Sequence, residues 1–478
     1  MPEPIDVEDL ALEVGKANFR DERLNVRLRA LVSAVATDPQ RSLPGALDEA
    51  GLEAAYRFFS NVRVTPDAIL TSHIEETRKR CQAEGDFLVL HDTTMFSYRH
   101  DGHRQGLGHA RPSSKNPKQS FFAHFSLAVT AERTRRPLGV AAVKTWARGP
   151  TKTGTEYQRW EEQLRASSAR LNGQRHAIHV MDREADDYQM FHALIRDGHR
   201  FVARALHDRH LASVEEKLRA HLSRVSATIE CDAPLTRRGK KPNPIDAKIH
   251  PPRSARIAKL SVSAATVSLK RPARRAHFTN PPESLEINVV RVWEAAPPDG
   301  EAPVEWFLYT TEPIETPEEQ LTVVEHYRAR WTIEEYFKAI KTGCAFEKRQ
   351  LQDYESIINL LATFAPIAYR MLLIRSEARR IPEAGAELVL SKDNIDVLCA
   401  HPRAKLCANP TTRDAYLAVA ALGGHLKRNG DPGWQTLARG FERLETLTEG
   451  WVLARSEPAS GHLPGLLLPS PSFRSVRD

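Results

Sequence analysis

The sequence predicts an α/β protein with helical segments at both ends and an all-β segment inside the α/β part. Three observations support this fold class. Apolar runs of strand length at 86–92 and 177–182 end in acids and alternate with helical segments. From about 223 to 311 the apolar period becomes two, with proline-rich turns between the runs. Toward both ends of the chain the period is that of amphipathic helices.

Each element follows from its local pattern. In the first helical stretch, for example, Leu24, Leu28 and Leu31 recur at helical spacing. Helical spacing occurs in five segments: 7–80, 155–171, 317–341, 355–380 and 387–454. Further strands are predicted at 121–130 and 138–144, and the Gly-, His-, Ser- and Lys-rich stretch 99–119 predicts a loop.

The net charge is concentrated in one segment of the chain. The 478 residues include 68 Lys and Arg against 61 Asp and Glu, a formal charge of +7. The window 237–275 alone holds twelve Lys or Arg and one acid, Asp246, so the remainder of the chain is slightly acidic. This window is either a polyanion-binding surface or a solvated basic loop.

Composition also excludes several classes of protein. The start of the chain is acidic and interrupted by proline, which does not fit a secretory signal, so we expect a cytoplasmic protein. The apolar run 357–374 is broken by Asn359, Pro366 and Arg370, which favours a buried helix over a membrane span. The cysteines form no C-x-x-C pair and are predicted to be free thiols: Cys81, Cys231, Cys344, Cys399 and Cys407.

Two acids end the buried strands. Asp92 and Asp182 stand at the carboxyl ends of the runs 86–92 and 177–182, where open α/β sheets place their ligands. Acids at strand ends also cap turns, so each one alone has a structural explanation. As a pair they could face each other across neighbouring strands.

A third acid lies on a helix face that carries mostly cations. The residues at helical spacing on this face are Tyr327, Arg330, Glu334, Lys338 and Lys341. Such a face is either a solvated charged stripe or a metal ligand beside clamps for a phosphodiester. Two strand-end acids and one helical acid could hold two divalent cations roughly 3.5–4 Å apart. The combination predicts phosphoryl chemistry on nucleic acid.

These residues together match a known pattern. His91-Asp92-Thr93-Thr94 precedes the run 182–186, Asp-Arg-Glu-Ala-Asp. The spacing Tyr-x2-Arg-x3-Glu-x6-Lys is filled by Tyr327, Arg330, Glu334 and Lys341. The chain resembles the DDE transposases of bacterial insertion sequences, in the IS-four family close to the Tn-five transposase. Shorter matches extend the resemblance nearly end to end: 55–59, 200–204, Trp306, 433–434 and 449–451.

The resemblance implies an RNase H-like catalytic core interrupted by the β segment at about 223–311. It implies that Asp92, Asp182 and Glu334 are catalytic and bind two Mg²⁺ ions, which Mn²⁺ can replace. Water would cut the phosphodiester at each transposon end. The freed 3′-hydroxyl would then form a hairpin with the opposite strand and, once the hairpin is reopened, join target DNA. Each end would be cut by the subunit bound to the other end, which implies a homodimer on double-stranded DNA.

Six positions are implied to contact DNA. Tyr327, Arg330 and Lys341 match positions that grip the phosphate beside the cut. Lys338 would assist them, and Arg204 matches a further contact.

The sixth position is an aromatic residue. Trp306 matches a residue that accommodates a flipped base, although its alternation with apolar neighbours suits a core strand equally well. Glu184 and Asp186 match no metal ligand, and we expect structural pairing for them, with Arg183 as a candidate partner.

The resemblance also suggests a division of the chain. Residues 1–72 would form a helical DNA-binding domain that recognises the terminal inverted repeats. Residues 73–375 would form the catalytic domain. Residues 376–478 would form a helical dimerisation domain with a loose tail.

Three other functions fit parts of the pattern. An RNase H-fold nuclease without strand transfer would share the acidic triad. A catalytically inactive DNA-binding regulator would keep the fold and the basic surface. A metallohydrolase would use the histidines in and beside the loop, which match no regular ligand spacing: His91, His100, His103 and His109.

Overall fold

The structure is a computed structural model that describes most of the chain. The described residues are 7–98, 102–109, 118–148, 155–172, 175–240, 251–273, 281–404, 406–426, 428 and 430–456. Their α-helices are α1 Val7–Gly15, α2 Glu22–Thr37, α3 Leu43–Ala46, α4 Glu49–Phe59, α5 Pro66–Glu84, α6 Glu156–Leu171, α7 Tyr188–Arg196, α8 Leu218–Ser223, α9 Pro317–Ala329, α10 Trp331–Lys338, α11 Tyr354–Arg380, α12 Lys392–Ala400, α13 Thr412–Leu422 and α14 Trp434–Ser456. Their strands are β1 Phe87–Tyr98, β2 Gly108–His109, β3 Gln119–Thr130, β4 Pro137–Trp146, β5 Ala177–Met181, β6 Arg200–Arg204, β7 Ile229–Leu235, β8 Arg256–Lys270, β9 Ser284–Glu294 and β10 Glu305–Thr310.

All of these strands belong to one mixed sheet with the order β2-β3-β1-β5-β6-β10-β9-β8-β7, and β4 pairs with β3. Strands β4, β3 and β1 are antiparallel, whereas β1, β5 and β6 are parallel. Parallel neighbours require crossover connections, and α6 and α7 precede β5 and β6 in this role. The carboxyl ends of β1, β5 and β6 therefore point to the same edge of the sheet.

The segment 223–311 forms the strands that its period of two predicts, but they are not set apart from the α/β part. Strand β10 pairs antiparallel with β6, and β9, β8 and β7 follow outward, so the segment continues the central sheet. Both faces of these strands contribute buried side chains, for example Leu308 on one face and Tyr309 on the other. The alternation of apolar residues predicts the strands, but it does not predict with which strand of the sheet they pair.

Helix α11 forms the centre of the protein. It is long and apolar enough to cross a membrane, yet 94% of its most apolar window is buried inside the described structure, so it is a core helix as predicted. Asn359 in this helix donates from Nδ2 to the carbonyl oxygens of Phe59 and Val64, both at 2.9 Å. These bonds tie the N-terminal helices to the core.

The predicted domain boundaries fall within helices. The boundary at 72/73 lies in α5 and that at 375/376 lies in α11, so each helix runs from one predicted domain into the next. The predicted loose tail lies outside the described residues from 457 onward, as do parts of the predicted loop 99–119.

A buried arginine joins the N-terminal helices to the segment that follows α10. The guanidinium of Arg349 donates to the carbonyl oxygens of Pro39 and Arg41, and to that of Cys344 at 2.7 Å. Its residue surface is 4% exposed. The bonds to Pro39 and Cys344 are buried, so the guanidinium supplies hydrogen bonds that water cannot supply there.

We expect Arg349→Met to loosen this junction. The substitution leaves buried carbonyls without a donor, at a cost of roughly 3 kcal/mol. Trypsin should then cut after Arg41, an exposed residue of this loop, at least about tenfold faster than in the wild type. Lys348→Met is the matched control, because Lys348 is exposed. Equal cutting rates in the two variants would show that Arg349 does not hold the loop.

Candidate active site

Asp182 follows the last residue of β5, whereas the prediction that Asp92 ends its strand is wrong, because β1 continues to Tyr98 through its pairing with β3 and only its pairing with β5 stops at Leu90. The two acids lie next to each other because of the register of β1 and β5. These parallel strands align Leu90 with Val180. Asp92 and Asp182 each come two residues later. Neighbouring strands are separated by about 4.8 Å, so the two carboxylates share one edge of the sheet.

Two further predicted residues lie at the same edge. Arg204 ends β6 and aligns with Leu308 of β10. Trp306 lies near the start of β10, which runs antiparallel to β6, so it returns to this edge. The ring of Trp306 contacts that of Tyr327 edge-on, with 5.6 Å between the centroids.

Helices α9 and α10 bring the third acid to this edge. Helix α9 begins with Pro317 behind a capping box formed by Thr316 and Glu319. Arg330 closes α9 and opens α10 with helical dihedral angles, so the chain continues without a sharp turn. Glu334 follows one turn later on the same face as Arg330.

An ion-pair bridge connects the strand acid to the helix acid. Arg330 Nη1 lies 2.7 Å from Asp92 Oδ2, and Arg330 Nη2 lies 2.6 Å from Glu334 Oε1. Burial, together with the charges of Asp182 and Glu334, raises the pKa of Asp92 to about 7 against the opposing effect of Arg330. The positive charge of Arg330 thus compensates only part of the negative charge of these carboxylates. The same partners raise the pKa of Arg330, although burial opposes them.

A cleft of about 700 Å³ opens beside this cluster. Its walls include Asp182 and Glu334 together with Tyr327, Arg330 and Trp306. Arg204 also lines it, so five other predicted site residues share this cavity with Asp182. Asp92 and the two lysines are not among the residues that line it.

Three cleft arginines were not predicted individually as DNA contacts. Arg183 follows Asp182 directly and lines the cleft. Arg238 and Arg253 also line it, and they pair through their backbones. Both belong to the basic window 237–275, and the positive charge of that window was the feature of the sequence that could have identified them. Residues 241–250 and 274–275 of that window lie outside the described residues.

The two predicted lysines do not line the cleft. Lys338 pairs with Glu335 at 2.6 Å and lies over the ring of Trp331. Lys341 sits in a π-helical turn, Ala339–Gly343, and its Nζ donates to the carbonyl oxygen of Met95 at 2.7 Å. Burial lowers the pKa of Lys341. Met95 is three residues beyond Asp92 on β1, so Lys341 lies along the same strand, farther from the triad.

The chemistry of the acidic cluster suits a hard divalent cation. Carboxylate oxygens are the ligands that Mg²⁺ and Mn²⁺ prefer. Within the described residues, however, no three His, Cys, Asp or Glu side chains come close enough to share one ion. Between Asp92 and Glu334 stands the guanidinium of Arg330. The three carboxylates therefore suit a divalent cation by their chemistry. In this structure, however, the guanidinium of Arg330 bridges two of them.

The acid expected to pair with Arg183 has another partner. Asp186 is fully buried and bonds Arg209, with 2.5 Å between Oδ1 and Nη2. It also accepts the backbone N–H groups of Leu206 and His207 at 2.6 and 2.7 Å. The suggested pairing of Asp186 with Arg183 is therefore wrong, but Asp186 does have the structural role that we expected.

The histidine-based metal site is not supported by the described residues. His91 is fully buried and its Nε2 lies 2.9 Å from His179 Nδ1, inside the sheet. His103 and His109 are exposed, and His100 lies outside the described residues.

Comparisons with known proteins identify the family of this chain. A cryo-EM structure of the piggyBac transposase synaptic complex with hairpin DNA aligns with 98% of this chain and 79% of its own, at 10% identity and a TM-score of 0.34. The family model described as Transposase DNA-binding matches residues 9–64. The family model described as Transposase DDE domain matches residues 87–365, from the first residue of β1 into α11. That match spans more than half of the chain, which therefore belongs to the DDE transposase domain family.

Proposed function

We propose that this protein is a cut-and-paste DNA transposase of the IS-four family whose catalytic residues are Asp92, Asp182 and Glu334. The observation that carries the proposal is the placement of these carboxylates and Arg330 at one sheet edge, beside a cleft lined by arginines. In a member of the DDE family, such an arrangement favours cleavage and joining of phosphodiesters.

The triad would hold two Mg²⁺ ions, or Mn²⁺ in their place. Such ions, when bound, activate the attacking oxygen and stabilise the leaving oxygen of an in-line displacement. Arg330 presents a planar guanidinium that can pair with two phosphate oxygens at once. Tyr327 and Trp306 give the cleft an aromatic wall on which an unstacked base could rest.

The remainder of the chain would bring DNA to this site. The helices of 1–72 would recognise the terminal inverted repeats, which the DNA-binding family match at 9–64 supports. The strands of 223–311 would be an insertion in an RNase H-like core and would extend its basic surface. The helices of 376–478 would provide the contact for a homodimer on paired ends. Hydrolysis, hairpin formation and joining to target DNA would all take place in the cytoplasm.

Incubation of the purified full chain with its own element's ends tests this function. A supercoiled plasmid carrying both ends is incubated with Mg²⁺, and the DNA is separated on denaturing gels. We expect nicks at the element boundary, followed by hairpins and joined products. Nicks without hairpins or joining would indicate a simple nuclease. Binding without any nick, with Mn²⁺ also tried, would indicate an inactive regulator.

We expect Lys341→Ala to weaken DNA binding chiefly at low salt. If Lys341 neutralises one phosphate, its loss lowers the slope of log K against log [salt] by about 0.9. Fluorescence anisotropy with a labelled end duplex, measured over a salt series, gives the slope. Lys392→Ala removes a charge from an exposed lysine of α12 and should leave the slope unchanged. An unchanged slope for Lys341→Ala would place that lysine outside the interface.

A further inference from the structure

The guanidinium of Arg330 occupies the space between two of the acidic residues. Its two terminal nitrogens are divided between them, one on Asp92 at 2.7 Å and the other on Glu334 at 2.6 Å. The bridge joins β1 to α10, two elements that are distant in sequence. It is largely shielded from water, because the side chain of Arg330 is 16% exposed.

The bridge leaves few carboxylate oxygens for another cation. Oδ1 of Asp92 accepts the backbone N–H of Thr93 at 2.8 Å, so both oxygens of this carboxylate are engaged. Oδ1 of Asp182 accepts the N–H of Glu184 at 2.7 Å. A divalent ion approaching the cluster would also meet the fixed positive charge of the guanidinium.

DNA offers Arg330 an alternative partner. A phosphate presents two oxygens with the spacing that a guanidinium fork matches. Arg330 itself lines the cleft, and so do Arg183 and Arg204, which would draw a phosphate toward it.

We propose that Arg330 is a latch that closes the acidic site in the absence of DNA. A DNA phosphate takes over its guanidinium, and the carboxylates of Asp92 and Glu334 become free to bind divalent cations. Cation binding is thereby coupled to DNA binding, which prevents hydrolysis by an enzyme that holds no end. This inference rests on the proposed function, in which the triad binds metal.

Metal binding to the DNA-free full chain tests the latch without any measurement of activity. Free Mn²⁺ is followed by electron paramagnetic resonance during titration of the wild type and Arg330→Gln. We expect Arg330→Gln to bind Mn²⁺ at least tenfold more tightly. Arg330→Lys keeps the charge but cannot bridge both acids, and we expect an intermediate affinity. Circular dichroism confirms that each variant is folded.

A matched control and a duplex complete the experiment. Arg328→Gln makes the same charge change on α9, where Arg328 pairs with Glu325, and should bind Mn²⁺ as the wild type does. A duplex of the element's end should strengthen Mn²⁺ binding to the wild type and add little to Arg330→Gln.

Two results would overturn the proposal, and they are distinguishable. Equal Mn²⁺ affinities for wild type and Arg330→Gln, both lost in Glu334→Gln, would leave the metal triad standing and remove the latch. Mn²⁺ binding that is indifferent to Glu334→Gln in both backgrounds would overturn the triad, and with it the proposed function.

Discussion

Glu334→Gln is expected to abolish DNA cleavage while leaving recognition of the element's ends intact. The substitution keeps the size of the side chain but removes the charge that a divalent cation needs. We expect cleavage to fall on the order of 1,000-fold, about 4 kcal/mol of transition-state stabilisation. The rate of nicking on an end-bearing plasmid with Mg²⁺ measures the loss, and gel retardation measures end binding.

A neighbouring acid provides the control for this prediction. Glu335 is the next residue of α10, but its carboxylate pairs with Lys338 and accepts from Trp434 Nε1 at 3.1 Å, away from the cleft. Glu335→Gln should therefore retain cleavage within a few-fold of the wild type. Mg²⁺-dependent nicking that persists in Glu334→Gln would remove Glu334 from the triad.

Asp186→Ala is expected to be the most destabilising substitution of an acid near the site. Both partners are buried, since the side chain of Asp186 is 0% exposed and that of Arg209 is 8% exposed. Removal of the carboxylate leaves an uncompensated buried guanidinium and two backbone N–H groups without an acceptor, at a cost of about 3–5 kcal/mol. Urea unfolding followed by circular dichroism measures the loss.

Two further variants separate charge from shape at this position. Asp186→Asn still offers an acceptor to the backbone N–H groups, so it should cost less than Asp186→Ala. Asp232→Ala changes an exposed acid of β7 and should stay within about 0.5 kcal/mol of the wild type. An Asp186→Ala protein as stable as Asp232→Ala would contradict a structural role for this pair.

Local patterns in the sequence predicted most of the helices and most of the strands. The long strands and helices carry enough residues for their periods to be read. Asp92 and Asp182 marked the functional edge, although β1 continues beyond Asp92 to Tyr98. Strand β6 was recognised only as part of the resemblance, because arginines at both of its ends leave an apolar run of three residues. The pairing of β10 with β6 joins residues about a hundred positions apart, which no local pattern encodes.

The site shows the same division between local and long-range information. The spacing of Arg330 and Glu334 on one helix face was readable, because it depends only on helical geometry. The contact of Arg330 with Asp92 was not, since it spans 238 positions and arises when α10 packs on β1. Asp186 likewise pairs with a loop arginine 23 residues later, beyond the reach of local geometry.

Strand transfer by a pre-cut end tests whether this chain joins DNA at the triad of Asp92, Asp182 and Glu334. A labelled end duplex with a free 3′-hydroxyl is incubated with Mg²⁺, a supercoiled target plasmid and either the wild type or Asp182→Asn. We expect the wild type to join the label covalently to the plasmid and Asp182→Asn to fail to do so, although it still binds the duplex. Joining by Asp182→Asn at the wild-type rate would remove Asp182 from the triad, and a wild type that nicks DNA but never joins the end would not be a transposase.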